Sequence, residues 1–178
     1  RKFEFIGILT FLDPPRPDTK HTIDCANDFG VTVKMITGDH RAIAVETCRT
    51  LGMGTNVLGA EKLPLLTAQD LEASTTLGRD YGEMCRQADG FAQVFPEHKY
   101  LIVEALRQQG YLVGMTGDGV NDAPALKRSD VGIAVQGATS AAQAAADIVL
   151  TQPGLSTIVT AIVTSRKIFQ RMKNFVIY

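Results

Sequence analysis

Apolar positions along the chain form short runs that alternate with stretches of helical spacing. Residues 5–12 (FIGILTFL) are an apolar run of strand length. The Pro-rich segment 13–18 (DPPRPD) breaks that run, because proline fixes the backbone and withholds an N–H; it reads as a rigid turn or hinge. Asp18 is placed to cap a helix over about 19–28, with Ile23 and Ala26 inward and Gly30 as its stop. A β-branched run at 31–36 predicts a strand, and 40–51 a helix spaced through Ile43, Ala44, Thr47 and Leu51 and stopped by Gly52. Residues 53–90 are the least regular. They read as an excursion between core elements, with helices near 69–74 and 81–88. The alternation then resumes, with strands at 91–95, 111–115, 131–135 and 148–150 and helices at 96–109, 122–127 and 138–146. Strands alternating with helices predict the α/β class, a Rossmann-like parallel sheet flanked by helices, with ligands at the carboxyl ends of the strands.

Residues 155–178 predict a long final helix. Its apolar positions 155, 158, 159, 162, 169, 172 and 176 fall near one face. Arg166, Lys167, Arg171 and Lys173 cluster just before Phe175-Val176-Ile177-Tyr178. That order suits a helix approaching a membrane from the cytoplasmic side. A core helix with a solvated basic face gives the same pattern. No complete span is present, since about twenty apolar residues are needed.

Composition narrows the classes. The chain has 178 residues, enough for one domain with its own core, and 45% hydrophobic content argues against disorder. A net charge of -1 argues against a nucleic-acid partner. Cys25, Cys48 and Cys85 are widely spaced, which excludes a disulfide framework or zinc cluster and fits a reducing compartment. The chain starts at Arg1 without Met or a signal sequence and stops inside an apolar run, so both ends read as cut and the chain as part of something longer.

An internal echo carries the chemistry. Thr37-Gly38-Asp39 and Thr116-Gly117-Asp118 each follow a predicted strand. Glycine lets backbone N–H groups approach an anion, the Thr hydroxyl can donate to a phosphoryl oxygen, and the Asp can bind Mg²⁺. The second copy runs on as TGDGVNDAPALK, where Asp118 and Asp122 straddle a turn and can face one cation. The plain alternative is a turn residue and a helix cap. Lys99, after Phe95-Pro96-Glu97-His98, opens a helix and can reach a phosphoryl group as a point charge; read alone it is a surface lysine. The histidines lack metal spacing. Gly117-x-Gly119-x-x-Asp122 fails the dinucleotide pattern, and no GxxxxGK[ST] exists.

Together these segments resemble the P-type ATPases, whose phosphorylation domain is haloacid dehalogenase-like. Residues 116–127 are the most specific match, and 13–18 and 168–175 are most similar to the plasma-membrane proton pumps. The resemblance covers nearly the whole chain and is weakest at 53–90. It implies a phosphorylation-domain segment over 1–152, with a hinge at 13–18, and a stalk over 153–178 leading toward a transmembrane helix. It also implies ATP and Mg²⁺ as ligands. Asp118 would bind Mg²⁺, with Asp122 and Asn121 completing or supporting the site. Thr37 and Gly38 would hold the phosphoryl group, Asp39 would help close the site, and Lys99 would neutralise the aspartyl phosphate. Arg16 would touch ATP phosphates. The partners would be the rest of the pump (nucleotide domain, actuator domain and membrane helices), with this segment on the cytoplasmic side of the plasma membrane.

Two departures stand against that pattern. No Asp-Lys-Thr-Gly-Thr segment, which holds the family's nucleophile, occurs in these residues, so the chain alone is expected to be inactive. Ser140 stands where an Asp is expected. Two other readings remain open: a soluble phosphatase of the same superfamily with Asp13 as its nucleophile, and a Mg²⁺- or phosphate-binding module.

Overall fold

The computed structural model describes residues 3–9 and 14–178. Eight α-helices and six short strands alternate along these residues. The strands are β1 (Met35–Ile36), β2 (Val57–Gly59), β3 (Gly90–Ala92), β4 (Gly114–Gly117), β5 (Val131–Ala134) and β6 (Ile148–Val149). The helices are α1 (Thr19–Asp28), α2 (Arg41–Leu51), α3 (Ala68–Ala73), α4 (Glu83–Gln87), α5 (Pro96–Gln108), α6 (Ala123–Arg128), α7 (Ser140–Ala145) and α8 (Ser156–Ile177). The strands form two three-stranded sheets ordered β1-β3-β2 and β4-β5-β6, and every pairing is parallel. The expected α/β architecture with helix crossovers is therefore present.

Helix α5 is the spine between the sheets. Its Leu101, Ile102 and Ala105 join a core with Leu63, Leu71, Leu77, Cys85 and Phe91. Its Val103 faces the other way, into a core of Met115, Ala125, Leu126, Ala134, Ala138 and Ala142. A helix apolar on two sides packs in this way.

Residues 53–90 correct the expectation of an excursion. They supply edge strand β2 and five side chains of the first core, Leu63, Leu71, Leu77, Cys85 and Ala88. A π turn at Gly78–Gly82 lies against the end of α5, and a Cβ at Gly78 would sit 2.6 Å from Gln108 Cβ. Only glycine permits that approach. Gly78 N–H donates to Gln108 Oε1 at 2.9 Å, while Gln108 Nε2 donates to Ser74 O at 2.8 Å.

The apolar run at 5–12 forms no strand over its described part. Residues 3–9 lack regular structure, and Phe5, Ile6, Ile8 and Leu9 are exposed. Period and composition had no ladder partner to act on, and a strand needs one. Residues 10–13, and with them the phosphatase candidate Asp13, lie outside the described residues. The strand expected at 31–36 shortens to Met35–Ile36.

Asp18 also departs from expectation. Its side chain does not cap α1. Its Oδ2 instead accepts from the N–H groups of Leu155 (3.2 Å) and Ser156 (3.4 Å), at the start of α8. The orphan N–H groups of a helix start donate to any well-placed carboxylate, near or far in sequence. Arg166 Nη2 of α8 donates to Phe29 O at 2.7 Å, and its guanidinium lies 5.4 Å from the centre of the Phe29 ring. No residue of α8 is fully buried; its first half is partly buried and tied to Asp18 and Phe29, whereas Phe169, Met172, Phe175 and Val176 in its second half are exposed. Among the described residues no helix is long and apolar enough to cross a membrane.

Candidate functional site

Both Thr-Gly-Asp tripeptides stand at the carboxyl ends of strands, and both strands are sheet edges. Among the described residues β1 pairs only with β3, and β4 only with β5.

The first turn follows β1 and is tied to the end of β3. Thr37 N–H donates to Phe91 O (2.9 Å), Val94 N–H to Thr37 O (3.2 Å) and Gln93 N–H to Asp39 O (2.9 Å). Thr37 Oγ1 donates to Asp39 Oδ2 at 2.9 Å and accepts from Asp39 N–H at 3.1 Å, which closes the turn on itself. Gly38 and Asp39 are exposed. Gln93 has φ 57, a left-handed conformation that costs a non-glycine residue about 1 kcal/mol. Its strained backbone turns the chain from β3 toward α5 while holding Asp39. No residue pattern in the sequence signals this role.

Helix α5 starts two residues after Val94, with Pro96 at its first position. His98 Nδ1 accepts from Phe95 N–H at 3.3 Å, so this buried histidine serves as a cap. Burial pushes its pKa down and favours the neutral ring. Lys99, one residue on, projects from the same first turn to Asp122.

The second turn is built inward. Lys99 Nζ donates to Asp122 Oδ1 at 2.6 Å. Asp122 Oδ2 accepts from the N–H groups of Gly119 (3.1 Å) and Asp118 (3.2 Å). Burial alone would raise the Asp122 pKa, yet the Lys99 ammonium and the two amides hold it below the ordinary carboxylate value. Gly117 is obligatory here, because a Cβ would lie 2.5 Å from Asp122 Cβ. Thr139 N–H donates to Asp118 O at 2.8 Å and fixes the far side of the loop. The Asp118 side chain is exposed and has no hydrogen-bond or ion-pair partner among the described residues.

The structure thus brings Lys99, Asp118 and Asp122 together and binds Thr37-Gly38-Asp39 to the strand end that leads into Lys99's helix. Asn121 lies exposed in the short turn between Asp118 and α6. Arg16 stands apart. It is exposed at the approach to α1, and no hydrogen bond or ion pair joins its side chain to the other candidates. No group of three or more His, Cys, Asp or Glu side chains converges among the described residues. Two carboxylates, one free and one engaged, instead match the habit of Mg²⁺, which takes one or two carboxylates together with phosphate and water.

The chain is similar to several known proteins. Probable proton ATPase 1A of Leishmania donovani is 62% identical over 178 residues, 99% of this chain and 18% of that protein. Plasma membrane ATPase 2 of Saccharomyces cerevisiae is 53% identical over 176 residues, again 99% of this chain and 18% of its own length. The chain therefore spans about a fifth of the curated relatives it matches. Among solved structures, a zinc-transporting PIB-type ATPase aligns with TM-score 0.68 and 26% identity, covering 91% of this chain and 21% of that one. The catalytic domain of the CPx-ATPase CopB-B aligns with TM-score 0.59 and 25% identity, covering 83% and 45%. The family profile of haloacid dehalogenase-like hydrolases matches residues 2–130, which include the first Thr-Gly-Asp turn, Lys99 and the Asp118–Asp122 loop. With its two parallel sheets and strand-end acidic turns, the chain belongs to the haloacid dehalogenase-like hydrolases.

Proposed function

We infer that this chain is the second segment of the phosphorylation domain of a P-type proton-pumping ATPase, which hydrolyses ATP through an aspartyl phosphate. The observation that carries this reading is the 2.6 Å pairing of Lys99 with Asp122 beside the unpartnered carboxylate of Asp118. It sets one cation and one free anion at the strand ends, where a phosphoryl group and its metal need them. A match over 99% of this chain to a probable proton ATPase at 62% identity and to a plasma membrane ATPase at 53% supports the choice of pump.

In this reading Asp118 holds Mg²⁺ directly. Asp122 orients the loop and Lys99, because both its oxygens are already engaged. Bound Mg²⁺ supplies charge neutralisation at the phosphoryl oxygens. The Thr37 hydroxyl and the Gly38 backbone hold the phosphoryl group, and Asp39, tied to Thr37, limits how far that turn opens. Lys99 neutralises charge developing on the transferred group. Asn121 supports the metal loop, and Arg16 meets ATP phosphates from the hinge at 13–18. The nucleophilic Asp lies on a further strand of the parent protein, and the open edges of β1 and β4 give such a strand places to pair. Residues 1–152 form the phosphorylation segment. Residues 153–178 form a stalk that runs toward the plasma membrane, with its exposed apolar end and basic cluster leading. Its partners are the nucleotide, actuator and membrane parts of the same pump.

The test is acyl-phosphate formation from γ-labelled ATP in the full-length parent. Asp118→Ala abolishes Mg²⁺-dependent labelling, and the 178-residue chain alone takes up no label. Labelling of the isolated chain, or full labelling of the Asp118→Ala parent, defeats the reading.

A further inference from the structure

Helices α5 and α6 run side by side and are joined by two ion pairs of opposite polarity. At their amino ends Lys99 of α5 meets Asp122, the residue that opens α6. Farther along, Glu104 of α5 receives both Nε and Nη2 of Arg128, the last residue of α6, with the Nη2 contact at 2.8 Å. Five residues on one helix and six on the other correspond to about 7.5 and 9 Å of rise. Two helices pointing the same way therefore meet at both rungs. Between the rungs lie the buried Val103, Ala125 and Leu126.

Glu104 is placed as a fixed point. Its side chain is 6% exposed, and Gln108 Nε2 also donates to it at 2.9 Å. Burial alone would raise its pKa, but Arg128 and Gln108 hold it below the ordinary value. A buried ion pair is a poor source of net stability, because desolvation cancels much of its attraction. Its better-attested use is to set register. The reversed polarity of the rungs does this: a slip breaks both pairs, and a slip of a whole rung sets Lys99 against Arg128.

We propose that Glu104 and Arg128 are positioning residues whose ion pair sets the register of α5 on α6 and so holds Lys99 Nζ at Asp122, beside Asp118. Their value to phosphoryl transfer rests on the role inferred above for Lys99; the register itself does not.

The test is the rate of reductive methylation of Lys99 at fixed pH, read by mass spectrometry in the intact 178-residue chain. Glu104→Ala raises that rate on the order of fivefold, the factor for about 1 kcal/mol. Arg128→Gln does the same and is the safer variant, since the Arg128 side chain is 41% exposed. Arg128→Lys, which keeps the positive charge beside Glu104, leaves the rate close to that of the unaltered chain. Leu71→Ala removes a buried side chain from the other core and leaves the Lys99 rate within about twofold. An unchanged rate in the Arg128→Gln chain overturns the proposal. So does an equal rise in the Leu71→Ala chain, which would mark general loosening. A separate arm adds Mg²⁺ and inorganic phosphate: failure to protect Lys99 counts against its phosphoryl role, whereas the labelling ratios alone decide the register.

Discussion

The two Thr-Gly-Asp turns share their residues and their place at a sheet edge, but their surroundings differ. The first closes on itself, Thr37 to Asp39, at the surface. The second is closed by Asp122, four residues beyond its own Asp, and Asp122 is held by a lysine from another helix. One consequence is that Asp39 is occupied locally while Asp118 is left free. The tripeptide supplies groups; the residues next along the chain decide which of them stay unengaged.

Substitutions separate the two turns. The largest effect is expected for Asp122→Ala, which strands the Lys99 ammonium and two amides and costs about 3 kcal/mol in urea unfolding. Asp39→Ala costs under about 1 kcal/mol. Equal costs would erase the contrast. Next come the glycines. Gly117→Ala forces a Cβ to 2.5 Å from Asp122 and costs about 2 kcal/mol. Gly38→Ala, whose nearest neighbour is Val94 O at 3.9 Å, stays within about 0.5 kcal/mol.

Acid titration then tests charge apart from shape. The folded pKa of Asp122 lies below its ordinary value of 3.8. Its contribution is therefore present in full above the unfolded value and is lost as pH falls through the lower folded one. Asp122→Asn flattens that part of the stability curve, and an unaltered acid slope would count against an ionised Asp122. A similarly small effect is expected for Thr37→Ala, about 0.5 kcal/mol in stability, because its hydrogen bonds are exposed to water.

Much of the fold was readable in order of residues. The helices at α1, α2 and α5 follow apolar spacing because each buries one or two stripes, with Ile23, Ala44 and Leu101 buried, although Ile43 of the expected α2 stripe is exposed and Cys48 takes the inward place. The strand-end position of both acidic turns came from alternation alone. Within 53–90 the helices expected near 69–74 and 81–88 are α3 and α4, but the place of the stretch in the core was opaque, because strand β2 is three residues long and the packing uses Gly78 and Gly82 against α5. Neither leaves a period in the sequence. The Asp18 cap on α8 and the Glu104–Arg128 pair were also unreadable, since each joins residues that only the tertiary fold brings together.

The attachment of α8 has a mechanical consequence. The helix has 22 residues and is about 33 Å long. Asp18 holds its first turn, Arg166 ties it to Phe29 three turns on, and every residue from 164 onward is exposed. It is a lever clamped over its first half and free over its second. A sideways force at the free tip becomes a torque on α1, at the residues just after the Pro-rich segment, before it reaches either sheet.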